Sequence, residues 1–334
     1  MMPKFAGGWK QNEKVKLCAL APVRGLTAGM EIRMMKGICN CPNIPCTYRN
    51  NCAACIAHNR EEGTLCNCME ETAIKLGAEL PVSFPDTEIF PDNEGMSRRC
   101  AQLVKECLAK KPDALLCFPA GSTVVRTCEI LKEMQNKGEI DFSQADFVAL
   151  DEWLDLEDES ENCTNFLKKH LYNPLGIRPE KMHLFDIHAK DLGKECARID
   201  EIIFQHGGID LMLLGLGMNG HLGLNEPGGN FGDYAKVVEL SETTMSVGQK
   251  YFSGPMKLSR GITLGVHHMF ETKQVILQVS GTAKKDIVER MYKSRPTDEI
   301  PGTVLKLLPG GKVVLDEAAA GKIKGFILSE NGTC

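Results

Sequence analysis

The chain has 334 residues, 43% of them hydrophobic, enough to bury one large core or two smaller ones. A net charge of −5 and a pI near 6.0 provide no general attraction to nucleic acid or to an anionic membrane, and an aromatic content of 6% leaves few platforms for stacking bases. No apolar run approaches the ~20 residues of a membrane helix, and the N-terminal patch Leu17 to Val23 is too short for a signal peptide, so a soluble cytoplasmic protein is expected.

Residues 1–36 have weak periodicity and read as an irregular leader. Residues 37–76 form a cysteine-rich segment. Seven of the fifteen cysteines (Cys39, Cys41, Cys46, Cys52, Cys55, Cys66, Cys68) fall within thirty residues, among prolines and asparagines and with little apolar material. Such a segment needs a cross-link or a metal to hold a fold. Cys41-x4-Cys46-x5-Cys52-x2-Cys55 supplies four thiolates, enough for a tetrahedral zinc or an iron–sulfur cluster, with His58 and the remaining cysteines as spare ligands. Free thiols or a redox pair are the alternative. The segment resembles small cysteine-rich bacterial domains. With only Arg49 and Arg60 against Glu61, Glu62 and Glu70, it carries no basic stripe for nucleic acid.

From residue 77 to 334 the pattern changes to alternating helix-like and strand-like stretches. The spacing predicts a helix over Met96–Ala109, a buried strand Ala114–Phe118, and a helix running to about Lys137. Strand Asp146–Leu150, helix Asn162–Tyr172, strand Met182–Phe185 and helix Leu192–His206 follow. The apolar run Ile209–Gly215, with no charge after Asp210, then opens into a glycine-rich loop. Beyond it come strand Val237–Leu240, a helix near Thr243–Phe252, strands Ile262–Val266 and Gln274–Val279, and helix Ala283–Tyr292. Alternation of this kind predicts an α/β fold: a doubly wound, mainly parallel sheet with helices on both faces.

Ligands of such sheets bind beyond the carboxyl ends of the strands, and three predicted strand ends carry polar chemistry. Pro119-Ala120-Gly121-Ser122-Thr123 opens a helix, so its N–H groups and hydroxyls can cradle a phosphate; the same residues also read as an ordinary N-cap. Asp151-Glu152 follows the next strand, where partial burial would raise a carboxylate toward general-base range; an acidic first helical turn is the alternative. The loop after Gly215 exposes Asn219, His221, Asn225 and Glu226, a histidine and a carboxylate five residues apart. An anion site beside a base and an acid suggests proton transfer on a small phosphorylated substrate. Neither GxGxxG in a strand–helix context nor GxxxxGK[ST] is present, so nucleotide-phosphate binding lacks support.

PAGST (119–123), LDEW (150–153), GLGMNGHLGLNEPG (215–228) and SGTAK (280–284) together resemble the glucosamine-6-phosphate deaminase/isomerase family, whose fold is shared with 6-phosphogluconolactonase. LDEW, NGHLGLNEPG and RGITLG (260–265) are most similar to its galactosamine-6-phosphate branch. The resemblance implies an amino-hexose 6-phosphate substrate, deaminated to the ketose 6-phosphate (tagatose 6-phosphate, or fructose 6-phosphate from the glucosamine epimer) without a catalytic cofactor. It implies Asp151 as the base between C2 and C1, His221 as the ring-opening group and Glu226 as its carboxylate partner. Gly121, Ser122, Thr123 and Lys284 would hold the phosphate, and Lys250 stands where many members carry arginine. Asn219 replaces an aspartate of the glucosamine enzymes; an amide can accept a hydrogen bond from the ring but cannot stabilise an imidazolium. A homo-oligomer is compatible with the resemblance. A lactonase on the same fold and a non-catalytic sugar-phosphate sensor remain the other readings.

Overall fold

A computed structural model describes residues 85–323. The leader, the cysteine-rich segment and the ligand set Cys41, Cys46, Cys52 and Cys55 lie outside the described residues.

Seven strands make one wholly parallel sheet: β1 (Asp86–Phe90), β2 (Leu115–Phe118), β3 (Asp146–Ala149), β5 (Met182–His183), β6 (Leu211–Leu214), β9 (Gln274–Val279) and β10 (Gly311–Asp316). Their order across the sheet is β1-β10-β9-β6-β2-β3-β5. Central strands β2 and β6 are buried at every position, as their unbroken apolar sequences require. The strand period of two splits those residues between two cores. Leu115, Cys117, Met212, Leu214, Val275 and Leu277 face one layer, which holds Ile199 and Ile203 of helix α4 (Leu192–Gln205) and Ile287, Val288 and Met291 of α7 (Lys285–Lys293). Leu116, Phe118, Phe147, Leu211, Leu213 and Ile276 face the other, with Met96, Cys100 and Val104 of α1 (Asn93–Lys110) and Cys128 and Leu131 of α2 (Val125–Asn136). The doubly wound sheet expected from the alternation is therefore present.

One part of the chain departs from that expectation. The strands near Val237 and Ile262, together with the LDEW stretch, leave the parallel sheet and form a three-stranded antiparallel one, β4-β8-β7. These strands are β4 (Asp151–Leu154), β8 (Arg260–Thr263) and β7 (Lys236–Glu239). LDEW does not close a strand; the chain turns at Leu150 from one sheet into the other. Trp153, Leu224, Leu240, Phe252 and Leu258 fill a satellite core against the small sheet. Helix α3 (Cys163–Leu167) continues into a π-helical turn at Lys168–Tyr172. Helix α5 (Glu242–Gly248) ends in a 3₁₀ turn, Gln249–Tyr251. Helix α6 (Val266–Glu271), β1, β10, the 3₁₀ segment Pro301–Lys306 and the short helix Glu317–Ala320 are among the elements that the periodicity leaves unread. No helix of the described residues is long and apolar enough to cross a membrane.

Candidate active site

Four adjacent strands, β9-β6-β2-β3, send their carboxyl ends toward one cavity of about 300 Å³. This lies at the lower end of the ~300–1,000 Å³ usual for small-molecule sites. Its lining includes Gly121, Ser122 and Thr123 after β2, Asp151 after β3, His221 after β6, and Lys284 after β9. Lys250 is contributed by the turn after α5. The sequence-predicted residues that would touch a ligand are thus assembled in one place. Asn219 and Glu226 stand outside the lining and contact His221 instead.

The two loops after β2 and β9 are built alike. Gly121 (φ 151°) and Gly281 (φ 93°) take backbone angles that a side chain disfavours, and each enters a 3₁₀ turn leading into a helix, α2 or α7. The buried Gln278 of β9 locks the first loop in place, donating to the Thr123 carbonyl at 2.6 Å and accepting from Thr127 at 3.0 Å. Lys284 is half-buried, and its Nζ donates to the Leu216 carbonyl at 2.5 Å. Burial, and secondarily the neighbouring Lys250, pull its pKa down to about 8. Lys250 lies at the exposed rim with its Nζ 4.9 Å from the centre of the Tyr251 ring.

Strand β4 separates the two acidic residues of LDEW by its alternation. Asp151 points into the cavity, while Glu152 turns inward and is 2% exposed. The Glu152 carboxylate accepts from the backbone N–H groups of Trp153 (2.8 Å), Cys163 (2.9 Å) and Thr164 (2.8 Å), so it caps α3. Burial pushes its pKa up against the pull of those bonds. Desolvation, reinforced by the Glu152 charge, pushes the Asp151 carboxyl up to about 7; the adjacent Cys163 thiol, a hydrogen-bond donor, works in the opposite direction.

His221 packs its ring against Gly217, where a Cβ would lie 2.4 Å from Cγ, Cδ2 and Nε2. Its Nδ1 is 3.1 Å from Thr244 Oγ1 and 3.7 Å from Glu226 Oε2. Asn219 does not touch the ring. Its Oδ1 accepts from the His221 backbone N–H at 3.1 Å, and its amide donates to Glu226 Oε2 at 2.8 Å and Ser241 Oγ at 3.1 Å. That corrects the expected amide–imidazole contact: the amide is needed as a donor, because its partner is a carboxylate. Ser241 Oγ accepts from Asn219 and from Thr244 N, so its own proton goes to Thr244 Oγ1 at 3.2 Å. Thr244 in turn can donate to Nδ1, which leaves the ring proton on Nε2. Burial, with the two lysines adding to it and Glu226 opposing, pulls the His221 pKa down to about 4, so the ring is neutral at physiological pH.

Cys163, Tyr251 and Thr244 are site residues that motif reading misses. Thr244 alone has a local signal, since Ser241-x-x-Thr244 has helix-capping spacing. Nothing in the sequence says that this cap faces His221.

The geometry defines an α/β enzyme-like site for a small anionic substrate, with a carboxylic acid and a neutral imidazole set around one cavity. Residues 93–314 match the family described as glucosamine-6-phosphate isomerases/6-phosphogluconolactonase. The chain is 34% identical over 239 residues to glucosamine-6-phosphate deaminase of Thermoanaerobacter pseudethanolicus, covering 71% of this chain and 94% of the relative. It superposes on a monomeric glucosamine-6-phosphate deaminase with a TM-score of 0.66 at 27% identity, over 70% of this chain and 98% of that one. A 6-phosphogluconolactonase from Trypanosoma cruzi shares the fold at 20% identity, with a TM-score of 0.58 over 77% of this chain and all of its own. The chain belongs to the glucosamine-6-phosphate isomerase/6-phosphogluconolactonase family.

Proposed function

We propose that the protein converts an amino-hexose 6-phosphate and water into a ketohexose 6-phosphate and ammonia. The observation that carries this is the convergence of Asp151, His221 and Lys284 on one cavity. In the proposed reaction the phosphate lies between the N–H groups of the Gly121 loop and Lys284, with Lys250 closing the rim. His221 donates its Nε2 proton to the ring oxygen as the C1–O5 bond breaks and takes the C1-hydroxyl proton in return, so the imidazole ends neutral and the sugar opens to the aldehyde. Asp151, ionised, takes the proton from C2 while the C1 oxygen takes the Nε2 proton of His221, and the C1–C2 enolamine forms. The carboxylic acid then returns that proton to C1, and the C2 nitrogen gives a proton back to His221, leaving an imine at C2. Water adds to C2, ammonia departs with the C2–N electron pair, and the ketone remains. All transfers are of protons, and no electron carrier enters the balance.

Glu226, 3.7 Å from Nδ1, favours a positive charge on the ring and so the uptake of the C1-hydroxyl proton, while Asn219 holds Glu226 in position. Galactosamine 6-phosphate is assigned as the faster substrate, on the LDEW, NGHLGLNEPG and RGITLG motifs, and glucosamine 6-phosphate as the second. Ammonia release from each amino sugar, run beside hydrolysis of 6-phosphogluconolactone, tests the assignment. Turnover of either amino sugar supports the reaction, and their ratio decides the epimer. Lactone hydrolysis with no ammonia from either sugar would replace the reading with the lactonase one.

A further inference from the structure

The end of the sheet opposite the cavity carries a second constellation that the reaction does not use. Asp146 opens β3, His183 lies in the short edge strand β5, and His206 follows the last residue of α4. One donor atom from each of the three lies within 4.8 Å of the others. His183 Nε2 is 3.0 Å and His206 Nε2 3.8 Å from the same carboxylate oxygen, Asp146 Oδ1, and the two rings meet edge to face at 5.2 Å. Side-chain exposures of 12%, 19% and 27% leave the group partly buried yet open to solvent. We propose that Asp146, His183 and His206 bind a borderline divalent transition-metal cation of the Zn²⁺ class, which ties β5 and the end of α4 to β3.

The donor set suits that ion, because two imidazoles and a carboxylate select zinc-like metals over calcium or magnesium. Metal–ligand distances of about 2.0–2.2 Å in a tetrahedron separate donor atoms by about 3.4 Å. The two measured separations from Oδ1 straddle that value, so small side-chain rotations close the site. The surrounding contacts already fix the donors. A carbonyl cannot donate, so the 2.8 Å contact between His206 Nδ1 and the Ile202 carbonyl puts the ring proton on Nδ1 and leaves the Nε2 lone pair free. Asp146 Oδ2 is held by Lys181 Nζ at 2.6 Å, and Lys181 is in turn held by the Gln144 carbonyl at 3.0 Å, which frees Oδ1. The carboxyl-terminal carbonyls of α4 add negative potential beside His206. Without metal, the same residues make an ordinary ion-pair cluster, in which His183 competes for Oδ1.

The test uses the full chain with its accessible thiols first alkylated by iodoacetamide, so that the cysteines at 39–68 cannot take up the metal. Zn²⁺ titration by calorimetry and thermal melts with and without ZnCl₂ are compared between wild type, His206→Gln and His183→Gln. One Zn²⁺ per wild-type chain and a metal-dependent rise in Tm are expected. His206→Gln should keep the metal-free circular dichroism and bind Zn²⁺ roughly tenfold or more weakly. If that variant misfolds, His183→Gln provides the same comparison. Equal stoichiometry and equal melting shifts in wild type and a folded variant, or no zinc-dependent shift in wild type, would overturn the site.

Discussion

Asp151 has opposite effects on stability and on chemistry. An acid whose folded pKa is raised from its ordinary 3.8 to about 7 binds more protons in the native state than in the unfolded chain between those values. Native stability therefore falls as pH rises through that window, and the loss is complete above it. Asp151→Asn should leave stability unchanged below about pH 4 and raise it at pH 8, as urea titrations at the two pH values would show. The same change should lower kcat by about 10²–10⁴-fold, the usual contribution of a general base. In the proposed reaction the ionised form is the base, so kcat/KM should rise with pH toward about 7 in the wild type. Lys284, pulled down to about 8, loses its charge just above that, so kcat/KM should fall again on the alkaline side. Lys284→Met should abolish that alkaline limb and act mainly through KM. Initial rates across pH, with substrate below and above KM, separate the two limbs. The positions of Asp151 and His221 are legible in the sequence because each follows a short apolar run. Their protonation states are not, because these come from burial and from partners such as Thr244, which lies 23 residues from His221.

At the scale of elements, LDEW shows how far one-dimensional reading reaches. A strand ending in acids is visible, but the sheet to which each residue belongs is not, because β3 and β4 differ in partners rather than in composition. β4 pairs with β8, about a hundred residues later, with Asp151 opposite Thr263. The antiparallel sheet and the apolar segment of β10 are both long-range pairings of this kind, whereas α1, α2 and α4 follow from local periodicity and caps such as Asp92 and Asp191. The strand's alternation gives Glu152 the structural role and Asp151 the cavity. Glu152→Gln should cost about 1–3 kcal/mol by weakening its three backbone bonds, two of which start α3. It should also lower the Asp151 pKa, because a like charge disappears. The acid limb of kcat/KM then moves to lower pH while the melting temperature drops; a limb that stays in place would refute this electrostatic link.

Across the whole molecule, polar joints hold the end of the sheet remote from the cavity. Asp210, 4% exposed, accepts from Lys111 Nζ at 2.8 Å, Lys273 Nζ at 2.5 Å and the Leu115 backbone at 2.9 Å. It thereby links α1, β2, β6 and the start of β9. Burial pushes its pKa up, but the two lysines and the backbone bond outweigh this and hold it below its ordinary value, so its stabilisation exists above that value and is lost as pH falls further. Asp210→Ala should cost about 1–3 kcal/mol, because both lysines stay solvated and the chief loss is the partner of the Leu115 N–H. Differential scanning calorimetry should find the melting temperature lower by roughly 2–12 °C, with kcat at low temperature little changed. The doubly wound architecture could be read from alternation. The meeting of four strand ends could not, because adjacency in the sheet is decided by pairing order and not by order along the chain.

Thr263 joins these scales. Its side chain is fully buried; Oγ1 accepts from Leu224 N at 3.2 Å and lies 3.3 Å from the Leu150 carbonyl, while the residue faces Asp151 across the small sheet. The loop bearing the imidazole and the hinge bearing the acid therefore hang from one hydroxyl. In the proposed reaction that hydroxyl acts as a ruler, tying the loop that carries His221 to the turn that carries Asp151.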